Sequence, residues 1–223
     1  MKSKIPIEKK VLGKNDEIAA DIRRRLQKEK IVALNLVSSP GSGKTSLLER
    51  TLGALNHTLN LALVAGDVQT ENDAQRLIRA GGAKVRAIVT GGACHLDANM
   101  VARALEDFDL GGVDILFIEN VGNLVCPSSF DLGEDMKVVV MSTTEGDDKP
   151  LKYPAMYRRS SVLVINKTDL LGQSDFDVER AKKNALSING ALTTFEVSCR
   201  TGAGLEAWYT WLTALAARKK GGS

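Results

Sequence analysis

Residues 38–45 (SSPGSGKT) have the types and spacing of a loop that binds phosphate groups. They follow an apolar run at 31–37 and lead into a helical pattern at 46–55, which is the context such a loop requires. Its backbone N–H groups face one concavity and the helix N-terminus adds partial positive charge, so a polyphosphate is the expected ligand. An ordinary Gly/Ser turn is disfavoured because motif and context agree, although Ser38 replaces the usual first glycine. The residues predicted to bind the phosphates are Gly41, Ser42, Gly43, Lys44, Thr45 and Ser46.

Two side chains of this loop are predicted to act in catalysis. Lys44 would contact the β- and γ-phosphates, and the Thr45 hydroxyl would bind Mg²⁺. Phosphoryl transfer needs mainly positioning and charge neutralisation, so no nucleophilic side chain is required. The sequence reveals no obvious arginine finger, and we therefore expect slow intrinsic turnover.

The tetrapeptide at 166–169 (NKTD) follows an apolar run at 162–165 and predicts recognition of guanine. Guanine presents two donors side by side, N1–H and the N2 amino group, and the carboxylate of Asp169 would accept from both. Asn166 would bond the ring edge, and Lys167 would lie along the ring plane. Adenine lacks that donor pair and would leave a buried carboxylate unpaired, so ATP is disfavoured.

A second loop, at 198–202, follows a strand-like pattern at 192–197. Its backbone N–H groups would lie near the guanine carbonyl, and the residues predicted to line the pocket there are Ser198, Cys199 and Arg200. Alone, an Asn-Lys-X-Asp tetrapeptide is often a solvated turn. With the phosphate loop upstream and this loop downstream, it predicts binding of GTP and GDP.

Two acidic residues at predicted strand ends are candidates for the Mg²⁺ site. Glu119 ends the apolar run 115–119 and would reach the ion, in part through water. Asp67 follows the run 61–65 and would bind Mg²⁺ or orient the attacking water, because ligand loops meet at the carboxyl ends of strands. The alternative for Asp67 is an N-cap of a helix at 71–80.

A thiol and an imidazole are adjacent at Cys94 and His95, and a second thiol, Cys126, lies shortly beyond Glu119. Both segments leave the carboxyl ends of predicted neighbouring strands, so the three side chains are predicted to form one site for Ni²⁺, Zn²⁺ or copper ions. Adjacent Cys and His do not easily fill a tetrahedral shell, and two subunits meeting across a two-fold axis would complete it. The alternative is a buried structural Cys94 and a helix-capping His95.

Apolar runs alternate with helical patterns, which predicts an α/β P-loop NTPase fold with a mostly parallel central sheet and helices on both faces. We predict one GTPase domain at 15–218, an N-terminal arm at 1–14 and a frayed tail at 219–223. The predicted strands are 31–37, 61–65, 85–89, 115–119, 138–142, 162–165 and 192–197. The predicted helices are 15–30, 46–55, 71–80, 96–108, 175–188 and 205–217.

The composition limits the functions open to the chain. The net charge is only +3 and no long basic stripe occurs, so a nucleic-acid partner is not expected. No apolar run approaches the ~20 residues of a membrane span, and the N-terminus lacks a signal-peptide pattern, so no membrane partner is expected. Three widely spaced cysteines argue against a disulfide framework and predict a reducing, cytoplasmic location.

Five motifs together resemble the HypB family, the GTPases of nickel insertion into nickel–iron hydrogenase. They are SSPGSGKT at 38–45, GDVQT at 66–70, TGGACHLD at 90–97, ENVGNLVCP at 119–127 and NKTD at 166–169. The resemblance covers nearly the whole chain after Lys14. It implies a SIMIBI-class GTPase fold, a GTP-dependent homodimer, slow hydrolysis, and an interface metal site at Cys94, His95 and Cys126.

The resemblance also implies partners, namely a HypA-like nickel chaperone and the precursor of the hydrogenase large subunit. Some family members have Cys-rich or His-rich N-terminal nickel motifs, but residues 1–13 contain neither residue type. Nickel storage there is therefore not expected, and the interface site is the main expected metal site. Because the metal loops adjoin the predicted Mg²⁺ segments, we expect nickel affinity to depend on the nucleotide, and such coupling is reciprocal.

The same residues allow other functions. A urease maturation GTPase would also bind GTP and nickel, but it usually shows Cys-Pro-His where this chain has Ala93, Cys94 and His95. A chaperone GTPase for a cobalamin-dependent mutase does not explain the paired cysteine motifs. A GTP-binding metal buffer without significant turnover is the alternative outside the enzymes. Repeated hydrolysis that is lost in Lys44→Ala would exclude it.

Overall fold

The computed structural model describes residues 5–67, 69, 72–81 and 84–222. Parts of four predictions lie outside this description: residues 1–4 of the arm, residues 68 and 70 of the GDVQT motif, residue 71 at a predicted helix start, and residue 223 of the tail. The strands are β1 Val32–Ser38, β2 Leu61–Asp67, β3 Lys84–Val89, β4 Ile115–Glu119, β5 Met136–Ser142, β6 Val162–Asn166 and β7 Thr193–Glu196. The helices are α1 Ile5–Lys28, α2 Lys44–Leu55, α3 Asn72–Arg79, α4 Ala98–Leu105, α5 Lys149–Lys152, α6 Pro154–Arg158, α7 Val178–Ile188 and α8 Leu205–Gly221.

Over the described part of the chain, the strands form one sheet in the order β3-β2-β4-β1-β5-β6-β7, and every neighbouring pair is parallel. Strand β1 lies between β4 and β5, and all of its residues are buried. Parallel strands covered on both faces are expected to be continuously apolar, and VALNLVS at β1 follows that pattern except for Asn35 and the terminal serine. The predicted fold class is confirmed.

Alternate residues of β1 face two different layers of helices. Leu34 and Leu36 belong to a core cluster that also contains residues of α2, α3 and α8. Ala33 belongs to a cluster with α1 and α4, and Val37 to one with α6 and α7. The sheet is therefore covered on both faces, and its carboxyl edge is free to carry loops. None of the described helices is both long and apolar enough to cross a membrane.

Both predicted domain boundaries fall inside helices. Helix α1 spans Ile5–Lys28, so residues 5–14 of the predicted arm are helical and continuous with the helix that we predicted at 15–30. We did not predict this helix because residues 5–14 show no clear apolar periodicity. Their Glu, Lys and Leu residues are nevertheless good helix formers. Helix α8 continues to Gly221, and Lys219 pairs with Asp135 at 2.6 Å while Lys220 pairs with the buried Asp114. Residues 219–221 are therefore not the frayed tail that we predicted.

Two short helices, α5 and α6, lie between β5 and β6, where we predicted none. Each has a proline in its first turn, which suits a helix start but interrupts a longer helical pattern in the sequence. Other boundaries shift by a few residues; for example, α4 spans a shorter segment than the predicted 96–108.

Candidate functional site

The phosphate loop turns sharply between β1 and α2 at the carboxyl edge of the sheet. Gly41 has a φ of 74° and Gly43 a φ of 97°, in the left-handed region that favours glycine. At Gly43 the reason is also steric, because a Cβ atom would lie 2.3 Å from Nδ2 of Asn166. The loop opens onto a cavity of about 570 Å³ that is also lined by Asp67 and Glu119.

Lys44 lies inside this loop. Its Nζ donates to Oγ of Ser38 at 2.8 Å, and its side chain is buried. Burial lowers the pKa of Lys44, and the carboxylate of Glu119 opposes this shift. A desolvated ammonium beside a concave row of backbone N–H groups is suited to bind a phosphate anion.

Thr45 and Glu119 meet at the floor of the cavity. The Thr45 hydroxyl donates to Oε1 of Glu119 at 2.6 Å, while Oε2 of Glu119 is buried without a hydrogen-bond partner among the described residues. Burial raises the pKa of Glu119 to about 7, although Lys44 and Thr45 pull it down. A buried hydroxyl and an orphaned carboxylate oxygen side by side are a ligand set for a hard divalent cation.

Asp67 ends β2 and lines the same cavity. Its carbonyl accepts from the N–H of Thr90 at 2.9 Å. Helix α3 is described from Asn72 to Arg79, and residues 68, 70 and 71, on which the alternative role of Asp67 as an N-cap depends, lie outside the description.

A cation that the sequence analysis missed also lines the cavity. Arg76 on α3 pairs with Glu49 at 2.7 Å and with Asp73 at 3.3 Å. No motif marks Arg76, because it reaches the phosphate loop only through the packing of α3 on α2. The only available signal was its place on the helix that follows the Asp67 strand.

A second cavity, of about 270 Å³, adjoins the first and shares Gly43, Ser46 and Lys167 with it. It is the cavity of the predicted base loops. Its further lining residues are Asn166, Asp169, Leu170, Cys199 and Arg200. The two cavities together form one continuous groove across the ends of β1 and β6.

Hydrogen bonds fix the base loops to each other. Nδ2 of Asn166 donates to the carbonyl of Ser42 at 3.0 Å, and its Oδ1 accepts from the N–H of Cys199 at 3.1 Å. Ser198 Oγ donates to Oδ1 of Asp169 at 2.5 Å, and Oδ2 of Asp169 takes no part in that hydrogen bond. Lys167 has a φ of 63° and donates to the carbonyl of Gly41 at 2.7 Å, which binds the base loop to the phosphate loop.

The structure brings Cys94, His95 and Cys126 together, although the strands before them, β3 and β4, are not neighbours as we predicted, because β2 lies between them. One ligand atom from each lies within 4.8 Å of the others, and the two Sγ atoms are 2.9 Å apart. Cys94 is exposed, whereas His95 is half-buried with its ring against that of Phe130, the centroids 4.0 Å apart. Cys126 begins a short 3-10 helix, Cys126–Ser128, directly after the exposed Val125.

The protonation of this cluster follows from its environment. The hydrogen bond with Cys126 raises the pKa of Cys94, so the Cys94 thiol holds its proton more tightly. Partial burial lowers the pKa of His95, which favours the neutral imidazole that binds metals. Two thiols and one imidazole are the donor types that soft metal ions prefer, so the cluster is a candidate metal site.

Comparisons with known proteins agree with this geometry. The family model of the CobW/HypB/UreG nucleotide-binding domain matches residues 32–196. Hydrogenase maturation factor HypB of Rhizobium leguminosarum bv. viciae is 54% identical over 215 residues, covering 96% of this chain and 72% of that protein. The chain belongs to the HypB family.

Solved structures extend the comparison. HypB from Helicobacter pylori in complex with nickel has a TM-score of 0.85 and 40% identity, and the match covers 92% of this chain and 95% of that chain. Signal recognition particle 54 kDa protein from Aeropyrum pernix K1, in complex with GDP, has a TM-score of 0.54 at 16% identity, covering 86% of this chain and 49% of that chain. That likeness concerns the fold alone.

Proposed function

We propose that this chain is a GTP-hydrolysing metallochaperone that assists nickel insertion into nickel–iron hydrogenase. One observation carries the proposal: a Cys–His–Cys cluster lies at the same sheet edge as a complete phosphate and base groove. Membership of the HypB family supports it. The cluster and the groove are joined through β4, because Glu119 ends that strand and Cys126 follows shortly after.

The groove is suited to hold GTP and to hydrolyse it slowly. Lys44 and the loop N–H groups would hold the β- and γ-phosphates, and Asp67 would orient the attacking water. Thr45, Asp67 and Glu119 are the candidate ligands for Mg²⁺, which when bound would neutralise charge on the phosphate oxygens. Arg76, the arginine among the described residues that line the phosphate cavity, is held by Glu49 and Asp73, so it is not free to accelerate turnover.

Guanine specificity would rest on Asp169. Ser198 occupies one of its carboxylate oxygens, and a guanine N1–H and N2 amino group would bind the carboxylate from the cavity side. Asn166 cannot easily turn away from the base, because it bridges the phosphate loop and Cys199. Adenine has no such pair of donors and would leave the cavity side of the Asp169 carboxylate without a base partner, which disfavours ATP.

Nickel is the proposed cargo of Cys94, His95 and Cys126. Thiolate and imidazole ligands suit Ni²⁺, and Zn²⁺ would bind the same donors. Three ligands leave the metal shell open, and the exposure of Cys94 and Val125 leaves room for a second subunit to supply the rest. We therefore propose a cytoplasmic homodimer that receives nickel from a HypA-like chaperone and passes it toward the precursor of the hydrogenase large subunit.

The test combines nickel stoichiometry, oligomer mass and GTP turnover on the reduced protein, in GDP and in a non-hydrolysable GTP analogue. We expect repeated GTP hydrolysis that Lys44→Ala abolishes, and nickel binding that Cys94→Ala abolishes. Cys199→Ser is the matched control, since it alters a thiol outside the cluster and should leave nickel stoichiometry unchanged.

Two results would contradict the proposal. GTP binding without repeated turnover would indicate a metal buffer that uses the nucleotide as a structural ligand. A protein that hydrolyses GTP but ignores nickel in both nucleotide states would show that the cluster is structural and that nickel is not its cargo.

A further inference from the structure

Four buried polar side chains form a continuous hydrogen-bonded path beneath the carboxyl edge of the sheet. Nδ2 of Asn120 donates to Oδ1 of Asn35 at 3.3 Å, and Nδ2 of Asn35 donates to Oε1 of Glu134 at 3.1 Å. Lys137 Nζ lies 2.7 Å from the same Glu134 oxygen. All four residues are buried, and we call them the Asn120 relay.

The relay is not required to form the sheet. Asn35 is the only polar residue inside the otherwise apolar β1, and a valine would suit a central parallel strand better. Burying an amide in such a strand is unfavourable unless each of its groups finds a partner. Here both side-chain groups of Asn35 do find one, which suggests a purpose beyond packing.

The relay begins beside the candidate Mg²⁺ ligand and touches the first metal-binding segment directly. Asn120 follows Glu119 in the chain, and its Oδ1 accepts from the N–H of Leu96 at 3.0 Å. Leu96 in turn follows His95. A shift in the backbone at the end of β4 is thus passed through one hydrogen bond to a nickel ligand.

The relay ends on the second metal-binding segment. Lys137 donates to the carbonyl of Phe130 at 2.9 Å, and the Phe130 ring lies against the ring of His95. Phe130 lies shortly after Cys126 and its 3-10 helix. The two metal-binding segments are therefore both connected to Asn120, one directly and one through the buried side chains of β1 and β5.

We propose that Asn120 is the positioning residue that transmits the nucleotide state from Glu119 to the nickel ligands. This inference rests on the proposed function, because it assumes that both GTP and nickel bind. A different position of Glu119 in the GTP and GDP states moves Asn120, and Asn120 changes the placement of His95 relative to the two thiols. By linkage, nickel binding then changes nucleotide affinity by the same factor.

The test compares nickel affinity in GDP with nickel affinity in a non-hydrolysable GTP analogue, and uses the ratio of the two dissociation constants. Asn120→Ala removes both branches of the relay, and Asn35→Val removes only the branch through Glu134. We expect the ratio of the unmodified protein to differ from one. Asn120→Ala should bring the ratio closer to one by a factor of about 2 to 30, and Asn35→Val should do so by a smaller factor. GDP affinity should remain close to that of the unmodified protein in Asn35→Val, because Asn35 does not line the phosphate cavity, whereas Asn120 does.

Asn15 provides the matched control. Its Oδ1 accepts from the N–H of Ala98 at 2.9 Å and its Nδ2 donates to the carbonyl of Asp131 at 2.9 Å, so it also spans the two metal-binding segments. It makes no hydrogen bond to the relay. Asn15→Ala should weaken nickel binding in both nucleotide states and leave the ratio unchanged.

A spectroscopic readout separates positioning from general loss of structure. The thiolate-to-nickel absorption band should differ between the two nucleotide states in the unmodified protein and coincide in Asn120→Ala. If the ratio of nickel dissociation constants in Asn120→Ala equals that of the unmodified protein, the inference is wrong. If Asn120→Ala does not fold, Asn35→Val decides, and a ratio equal to that of the unmodified protein overturns it.

The outcome also separates this inference from the proposed function. If the unmodified protein hydrolyses GTP and binds nickel with a ratio of one, the inference fails and the proposed function stands. If the unmodified protein fails to turn over GTP or to bind nickel, the proposed function itself is wrong.

Discussion

Replacing Glu119 by glutamine should stabilise the nucleotide-free protein at high pH. The carboxyl group is buried, and its pKa is raised from 4.5 to about 7, mainly by desolvation. The unfolded chain therefore loses this proton at lower pH than the folded protein does. The stability of the folded state falls as the pH rises from about 4.5 to about 7, and it is level above that.

The expected size follows from that difference. Glu119 is protonated in both the folded and the unfolded state at low pH. Relative to that state, and at 1.36 kcal/mol per pKa unit, its raised pKa lowers the free energy of unfolding by about 1 kcal/mol at pH 5.5 and by about 3 kcal/mol at pH 8.5. Glutamine abolishes the titration but adds an amide nitrogen with no evident acceptor, which costs about 1–3 kcal/mol at every pH. The stability difference between Glu119→Gln and the unmodified protein should therefore change by about 2 kcal/mol between these pH values, in favour of the variant at pH 8.5.

The assay is urea unfolding without nucleotide or divalent cations, followed by the fluorescence of the buried Trp208. Glu106→Gln is the matched control, because it makes the same substitution at an exposed residue after α4. A stability difference for Glu119→Gln that stays constant from pH 5.5 to pH 8.5 would refute the reasoning. The same variant should need far more Mg²⁺ to hydrolyse GTP, since the stabilising change removes the proposed metal ligand.

Three further results are expected. Asp169→Asn should lose GTP affinity by roughly 10- to 150-fold and gain XTP binding, because Ser198 keeps the oxygen occupied and the new amide donates to the C2 oxygen of xanthine; an unchanged preference for GTP would contradict the base-site assignment. Nickel affinity should rise with pH below the raised pKa of Cys94, by about tenfold per pH unit for each thiol proton that binding displaces; competition titrations at pH 7 and pH 8 that agree would exclude thiolate ligation. Gly43→Ala should lower the unfolding free energy by about 1–2 kcal/mol or more and weaken GDP binding, because its φ of 97° is left-handed and its Cβ would meet the asparagine of the base loop; normal values in urea unfolding and GDP titration would contradict this.

The sequence was most informative where chemistry is local. The phosphate loop, the NKTD loop and the Cys-His pair are each read within a few residues, because backbone geometry alone places neighbouring side chains in one loop. Parallel strands then bring their carboxyl ends to one edge, which is why Cys126 could be predicted to approach Cys94.

What the sequence concealed depends on long-range packing. Asn35 looks like an interruption of an apolar strand until β4 and β5 are placed on either side of it, with Asn120 and Glu134 in reach. Arg76 reaches the phosphate cavity only because α3 packs against α2. The first turns of α1 lacked an apolar face, so no periodicity marked their helix. Such contacts are set by tertiary structure rather than by a local motif.

The position of β1 also has a consequence for biosynthesis. Its pairing partners are β4, where Val32 lies opposite Ile115, and β5, which ends at Ser142. During translation, both edges of this apolar strand therefore stay open until more than half of the chain has been made. Non-local parallel pairing of this kind is slow and leaves aggregation-prone edges exposed. The phosphate loop follows β1 directly, so we expect GTP to stabilise the completed domain by mass action rather than the nascent chain.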